Sequence, residues 1–238
     1  LATNAYLAVE PESREALLFD APEGALEAIR PLLDERGLSL QALALTHGHY
    51  DHLGGAAELV RALKVPVWAH PDDEAWIENP MRQEAFMPPG MHIDGLKVDR
   101  YLHHGETFRA LGVEWEVRHV PGHSPGNILF YEPGSLMAVV GDVIFAGSVG
   151  RADLPLADWD TLEKSIQYQV YTLPDATTLY PGHGKGSQCG KNMSDETVST
   201  IGEQRRVNYA LQPMSREAFV NSVLEGLSTP PQYFPKNA

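Results

Sequence analysis

The stretch LALTHGHYDHLGG, residues 43–55, decides how this chain folds and what it can bind. It follows an apolar run and places three histidines and one aspartate within six positions, at His47, His49, Asp51 and His52. In an extended segment, residues two apart point to the same side, so His47 and His49 can bind one metal ion. A turn after His49 would direct Asp51 and His52 elsewhere, and we therefore expect one short loop to serve two metal ions.

Length and composition define the class of protein. The 238 residues, 43% of them hydrophobic, are enough for one large domain with a substantial core. A formal charge of -14 disfavours binding to nucleic acid or to an anionic membrane surface, and no apolar run approaches the roughly 20 residues of a membrane helix. We therefore expect a small-molecule partner, no nucleic acid and no membrane, and we leave the oligomeric state open, a homodimer included.

The single cysteine, Cys189, excludes an internal disulfide and fits a reducing compartment. We therefore expect a cytoplasmic protein in which Cys189 is a small structural residue. The chain opens at Leu1 without methionine, so we expect the natural chain to begin before it.

Short strand-like runs alternate with helical runs along the chain, as Gly and Pro positions and hydrophobic periodicity indicate. Residues 79–95, rich in Pro, Gly and Met, are typical of a long loop that covers another part of the molecule. Strands in both halves with helices between them predict two sheets, each covered by helices. The predicted strands lie at 5–10, 15–20, 41–46, 65–70, 106–111, 113–120, 127–132, 136–142 and 177–183, and the predicted helices at 24–37, 54–64, 71–79, 158–171, 194–210 and 215–226.

Three further residues with side chains that can bind metal ions follow other predicted strands. His123 follows VEWEVRHVPG, Asp142 ends LMAVVGD and His183 ends TTLYPGH. Imidazole and carboxylate groups suit zinc, and also iron or manganese. Two divalent ions about 3.5–4 Å apart would hold a bridging hydroxide and polarise a substrate oxygen, so we expect a hydrolase.

Four motifs, THGHYDH, PGHSPGN, GDVIF and YPGHG, occur in this order along the chain. Together they resemble the metallo-β-lactamase superfamily, and the resemblance extends to about residue 185. It implies an α/β fold, the αβ/βα four-layer sandwich of two mixed sheets flanked by helices, as the catalytic domain over residues 1–185. Residues 186–238 are then expected to form a C-terminal helical extension packed on that domain.

The same resemblance implies roles for the seven side chains. Two divalent ions, zinc before iron or manganese, would be bound, with Asp142 as the bridging ligand. Asp51 would also be the catalytic residue that orients the hydroxide. The implied ligands are His47, His49 and His123 for the first ion, and Asp51, His52 and His183 for the second.

Several branches of the superfamily can be weighed against these residues. The aspartate at position 142 argues against the lactam-cleaving branch, which usually lacks it, and His49 stands where flavodiiron proteins carry a carboxylate. Nuclease branches fit poorly with a charge of -14. The segment GDVIFAGSVGRADLP with YPGHG is most similar to the glyoxalase II-like branch, which hydrolyses thioesters of glutathione such as S-lactoylglutathione. A thioester of glutathione or of a similar thiol is therefore the expected substrate.

A second branch stays open because of the C-terminal segment. GSQCGKNMSDETVSTIGEQRRVNYALQPMSREAF and the later PPQYFP are similar to persulfide dioxygenases, which bind one iron through the counterparts of His47, His123 and Asp142. PGHG at 181–184 and HLGG at 52–55 favour hydrolysis. Another ester or lactone hydrolase and an inactive metal-binding module also remain open.

Two cations are candidate substrate contacts. Arg151 lies where related glutathione-using enzymes carry an arginine near the substrate, but it can equally pair with Asp153 on the surface. Lys185 lies in a segment that contacts glutathione in glyoxalase II enzymes, although a solvated helix face would also explain it. The remaining histidines are expected to be surface or structural residues: His70, His92, His103, His104 and His119.

Overall fold

The computed structural model describes residues 2–185, 187–194 and 196–227. The first of its two large sheets has five strands in sequence order, with β1 antiparallel to β2 and all later pairs parallel. Since β2, β3 and β4 run the same way, the loops that follow them meet at one edge of the sheet. The strands are β1 (Tyr6–Glu10), β2 (Glu15–Phe19), β3 (Ser39–Ala44), β4 (Val67–Ala69) and β5 (Arg100–Tyr101).

The second large sheet has six strands in the spatial order β13-β12-β9-β8-β7-β6, and its pair β9–β12 is parallel. Because β8 is antiparallel to both β7 and β9, the strands β7, β9 and β12 share one direction. Their carboxyl ends therefore meet at one edge. The strands are β6 (Thr107–Ala110), β7 (Val113–His119), β8 (Ile128–Glu132), β9 (Met137–Gly141), β10 (Ile144–Phe145), β11 (Ser148–Val149), β12 (Thr178–Pro181) and β13 (Ser199–Thr200), of which β10 and β11 form a separate hairpin.

Among the described residues, seven α-helices accompany the sheets. The helix α1 ends as the sequence predicts, because Gly37 adopts a left-handed φ of 59° and its N–H binds the last helical carbonyls. The helices are α1 (Ala25–Arg36), α2 (Tyr50–Leu53), α3 (Ala56–Leu63), α4 (Glu74–Glu78), α5 (Trp159–Ser165), α6 (Ile201–Val207) and α7 (Arg216–Leu224); α5 continues as a π turn over Ile166–Val170, and short 3-10 turns cover Pro71–Asp73, Pro80–Phe86 and Tyr209–Leu211.

Three apolar layers hold the elements together. Between the sheets, the ring of Phe19 lies 5.2 Å from Trp115 and 5.0 Å from Phe130. Outside the first sheet, α1 buries Leu26, Ile29 and Leu33 against it. Outside the second sheet, α5 and α7 bury apolar side chains against that sheet. Each such side chain contributes roughly 1.5–3 kcal/mol when fully buried. The order helix, sheet, sheet, helix confirms the predicted four-layer fold.

One predicted helix is wrong in its extent. Residues 194–210 were expected to be helical, but Ser199 and Thr200 pair with β12 and α6 begins only at Ile201. Thr200 then caps α6, since its side chain accepts a hydrogen bond from the N–H of Glu203. Sheet pairing and this cap outweigh helix propensity before Ile201.

The segment after residue 185 joins the second sheet and its helical layer. It adds β13 to the sheet, and Ile201 and Phe219 lie in the same buried cluster as Leu162 of α5. The motif PPQYFP, residues 230–235, lies outside the described residues. Among the described residues, no helix is both long and apolar enough to cross a membrane.

Candidate metal centre

The loop after β3 brings the opening motif to the edge between the sheets. The carbonyl of Thr46 accepts a hydrogen bond from the N–H of Ile128 at the start of β8 (2.8 Å), which ties this loop to the second sheet. His49 is extended, with ψ of 144°, and α2 begins at the next residue. The extended stretch from His47 to His49 and the turn into α2 therefore separate the two pairs of ligand-type residues, as the spacing predicts.

The first cluster consists of His47, His49 and His123. The Nε2 of His47 lies 3.0 Å from the Nδ1 of His49, which lies 2.9 Å from the Nε2 of His123. All three side chains are buried. Three imidazole nitrogens that face one point at these distances form a donor set suited to a divalent cation.

The second cluster consists of Asp51, His52 and His183. The Nε2 of His183 lies 3.3 Å from the Nε2 of His52 and 3.3 Å from Oδ2 of Asp51. The hydroxyl of Thr3 also donates a hydrogen bond to this Asp51 oxygen (2.8 Å). One carboxylate and two imidazoles thus face a second point.

Asp142 lies between the two clusters. Its Oδ2 is 3.2 Å from Nε2 of His123 and 3.3 Å from Nε2 of His183, while its Oδ1 is 3.4 Å from Nε2 of His52. Within the described part of the chain, neither oxygen has a hydrogen-bond partner, and the side chain is fully buried. A buried carboxylate without hydrogen bonds is costly, so this arrangement fits a ligand shared by two cations.

The rings of His52, His123 and His183 are held on their far side so that the other nitrogen faces the centre. Nδ1 of His52 donates to Asp20 (2.8 Å), Nδ1 of His123 to the carbonyl of Arg151 (2.7 Å), and Nδ1 of His183 to the carbonyl of Ala2 (2.8 Å). Since a carbonyl or carboxylate only accepts, Nδ1 carries the proton in each case and Nε2 is the nitrogen available as a ligand.

Asp20 is a positioning residue that the sequence prediction missed. It is buried at the end of β2, and besides His52 it accepts hydrogen bonds from the N–H and hydroxyl of Thr46 (2.7 and 2.8 Å). Asp20 therefore fixes both His52 and Thr46, which lies at the start of the loop after β3. The available signal was an acid directly after a strand, the same placement that marks Asp142.

Asp73 is a second such residue, on the side of the first cluster. It accepts hydrogen bonds from the N–H of Gly48 (2.8 Å), the hydroxyl of Ser124 (2.8 Å) and the N–H of Gly126 (2.7 Å). Burial raises the pKa of Asp73, and these donors oppose that shift. Asp73 joins the loops that carry His47, His49 and His123, and nothing in its local sequence, PDDE, indicates this.

The two clusters differ in how they bind protons. Burial lowers the pKa of His49 to about 3, and His123 beside it adds to the shift. Burial also disfavours charge on His183, but the Asp142 carboxylate outweighs it and raises the pKa of His183 well above the usual value. The pKa of His52 is raised in the same way, against its burial, by Asp142 and Asp51. Metal binding to the second cluster must therefore displace protons.

Gly182 allows the close approach of β12 to the centre. A Cβ at this position would lie 2.2 Å from Oδ1 of Asp142 and 2.7 Å from Cε1 of His52. Any side chain here would displace Asp142 from its place between the clusters.

A narrow cleft opens onto the centre. Its lining includes His49, Asp51 and Cys189, four apolar side chains, Trp76, Phe86, Leu154 and Pro155, and also Tyr50, Gln83, Arg151 and Gln188. The ring of Trp76 stacks on His49 with centroids 5.3 Å apart.

The segment 79–95, predicted to be a long loop that covers another part of the molecule, includes the 3-10 turn Pro80–Phe86 and contacts the loop after β3. Its buried Gln83 donates to the carbonyl of Gly48 (2.8 Å) and accepts from the N–H of Tyr50 (3.1 Å). This segment therefore supplies one wall of the cleft and also holds the loop below it.

The two candidate substrate cations differ in position. The guanidinium of Arg151 is buried and forms a bidentate ion pair with Asp153 (both 2.7 Å), the pairing that the sequence offered as the alternative to substrate contact. Arg151 also lines the cleft. Lys185 is exposed and lies outside the lining of this cleft. Its role in substrate binding stays a prediction.

Four of the five remaining histidines lie away from the centre, around the end of β7. The rings of His70 and His119 stack at 4.0 Å, His103 lies near them, and His104 accepts a hydrogen bond from the N–H of His119. His92 is exposed beside Asp94. The surface or structural roles expected for these histidines stay predictions.

Comparison with known proteins places this centre in a family. A family model described as the metallo-beta-lactamase superfamily matches residues 1–183. The hydroxyacylglutathione hydrolase GloC of Haemophilus influenzae is 32% identical over 205 residues, which cover 86% of this chain and 91% of GloC.

Three solved structures are similar in fold over most of this chain. The B3 metallo-beta-lactamase BLEG-1 has a TM-score of 0.77 and 31% identity, covering 89% of this chain and 95% of that one. TTHA1623 in a di-iron-bound form has a TM-score of 0.71 and 36% identity, covering 88% and 95%. ETHE1 from Myxococcus xanthus has a TM-score of 0.72 and 25% identity, covering 96% and 88%. Together with the fold and the buried His/Asp clusters, these findings establish that the chain belongs to the metallo-β-lactamase superfamily, a family of metal-binding hydrolases.

Proposed function

We propose that this protein hydrolyses a thioester of glutathione or of a similar thiol, using two divalent metal ions. The observation that carries the two-metal part is the position of Asp142, buried between the two clusters without a hydrogen-bond partner among the described residues. The likeness to GloC supports the thioester part. Zinc is the proposed metal, with iron or manganese as alternatives, and the di-iron form of TTHA1623 supports two ions rather than one.

In this proposal the seven side chains divide as the sequence resemblance implies. The first cluster, His47, His49 and His123, would hold one ion and the second cluster the other, with Asp142 shared. When bound, the ions would supply Lewis-acid polarisation of the thioester carbonyl and a nucleophile at neutral pH.

The chain's own residues supply orientation and a cleft with several apolar side chains. Asp51, positioned by the hydroxyl of Thr3, would accept a hydrogen bond from the attacking nucleophile and so direct it towards the carbonyl carbon. The ring of Trp76, fixed against His49, would pack on the acyl part and exclude water. A thiol leaves as thiolate, given its pKa of about 8.5, so cleavage of a thioester does not demand a proton donor in the cleft.

The test is thiol release from S-lactoylglutathione and from an acyl-coenzyme A. We expect release to stop when a chelator removes the metal and to return when zinc, iron or manganese is restored. A chromogenic cephalosporin belongs in the same assay because of the likeness to BLEG-1. Cephalosporin cleavage without thioester cleavage would contradict the proposal.

Persulfide oxidation is the second candidate, because ETHE1, a persulfide dioxygenase, is similar over 96% of this chain. It would use one iron held by His47, His123 and Asp142. Oxygen uptake with glutathione persulfide by the iron-loaded protein, without thiol release from thioesters, would favour this candidate.

The proposed substrate is a small molecule in the cytoplasm. A net charge of -14 supports this over a nucleic acid or a membrane surface. Light scattering in solution would distinguish a monomer from a homodimer.

A further inference from the structure

The only cysteine of the chain lies beside the metal centre. Cys189 is buried against Phe145 and Met193, and its backbone is fixed on both sides: its carbonyl accepts from the N–H of Arg151 (2.8 Å) and its N–H donates to the hydroxyl of Ser187 (3.2 Å). The thiol therefore has a defined position next to the second cluster.

That position is within reach of two residues of the centre. The Sγ of Cys189, a carboxylate oxygen of Asp142 and a ring nitrogen of His183 all lie within 4.8 Å of one another. Ligands around a tetrahedral zinc ion are roughly 3.5 Å apart, given bonds of about 2.0–2.3 Å. Shifts of about 1.3 Å or less would therefore bring the sulfur to the spacing of a ligand of an ion at the second cluster.

Asp142 is the second residue of the centre that lies near Cys189. Its carboxylate is fully buried, and among the residues that the structure describes it has no hydrogen-bond donor. Its Oδ2 faces Nε2 of His183 at 3.3 Å, the side on which Cys189 lies. The unpartnered buried carboxylate of Asp142 and the thiol of Cys189 thus lie close together beside His183.

We propose that the thiolate of Cys189 is an additional ligand of the metal ion bound at the second cluster. On binding, the thiol proton would pass to solvent and a metal–sulfur bond would form, with no change of oxidation state. A soft sulfur donor favours zinc over manganese at a site otherwise built from nitrogen and oxygen. The inference rests on the two-metal site proposed above but not on the thioester substrate.

Cobalt substitution tests this directly, because the chain has only one thiol. A thiolate bound to Co²⁺ gives a charge-transfer band in the near ultraviolet, separate from the visible d–d bands that any bound Co²⁺ gives. Such a band in the native chain can come only from Cys189. We expect it to appear as Co²⁺ fills the second cluster and to be absent from Cys189→Ser, whose d–d bands remain.

A matched variant separates ligation from packing. Met193→Leu alters the same small apolar cluster but leaves the thiol, so it should keep the band. Cys189→Ser should also lower the zinc affinity of one of the two sites by about tenfold or more, on the scale of a lost metal-site partner, in a competition titration with a chromophoric chelator. Met193→Leu should not.

The metal count in the same samples distinguishes the two ways of failing. Two equivalents of Co²⁺ without the charge-transfer band would overturn Cys189 as a ligand and leave the two-metal proposal intact. One equivalent without the band would overturn both.

Discussion

Replacing Asp20 by asparagine should weaken metal binding at the second cluster while almost preserving the shape of the site. Asp20 accepts three hydrogen bonds, one from Nδ1 of His52 and two from Thr46. Asparagine offers one acceptor oxygen, and its NH₂ group must face one of these donors. If the oxygen stays on the N–H of Thr46, the NH₂ faces His52.

The expected magnitude follows from the tautomer of His52. With a donor at Nδ1, the ring is driven to carry its proton on Nε2, the atom that faces His183 and Asp142 at 3.3 and 3.4 Å. That proton competes with the metal ion. Losing the outer partner of a ligating histidine costs about 10–100-fold in metal affinity, which is about 1.4–2.7 kcal/mol.

A competition titration with a chromophoric chelator, resolving the two equivalents, is the assay. Asp73→Asn is the matched control, because Asp73 holds the loops of the first cluster through Gly48, Ser124 and Gly126. We expect Asp20→Asn to weaken mainly one site and Asp73→Asn mainly the other. If Asp20→Asn leaves both affinities within about twofold of the native values, or lowers them equally, this reasoning is refuted.

Three other predictions test the remaining parts of the site. Asp142→Asn should lose at least one metal equivalent, and thiol release should fall by more than the roughly hundredfold cost of an outer partner; unchanged turnover after metal loss would reject the site. Trp76→Ala should raise KM for thioesters by about tenfold, since stacking and packing by an aromatic ring contribute about 0.5–1.5 kcal/mol beyond its burial, with metal content unchanged; an unaltered KM would remove Trp76 from substrate binding. In the metal-free protein, the raised pKa of His183 contributes stability below the usual value of 6.5 that is lost as pH rises through the raised pKa. The melting temperature in chelator should therefore fall as pH increases above 6.5, and a rise would contradict this assignment.

The placement of the seven side chains was predictable because each follows the end of a strand. The carboxyl ends of β7, β9 and β12 meet at one edge, so His123, Asp142 and His183 converge although 60 residues separate the first from the last. The end of helix α1 was also predictable from the sequence, because Gly37 favours the left-handed backbone conformation that ends it. The helix end follows from one local residue type, whereas the convergence follows from the shared direction of three strands.

The supporting residues were not predictable in the same way. Asp20 and Asp73 act on residues that lie 25 to 53 positions away along the chain, and an acid after a strand or in a helix start has many ordinary explanations. The position of Cys189 depends on the path of the chain after His183. Only the packed structure shows that this path returns the thiol to the centre.

The metal content of protein purified without added metal, measured by elemental analysis per chain, tests the central claim most directly. The account predicts close to two equivalents of zinc, or of zinc, iron and manganese together, with Asp142→Asn reduced to one or none. One equivalent of iron and little else in the native protein would contradict a two-metal hydrolase and make the persulfide dioxygenase the better explanation of the same fold.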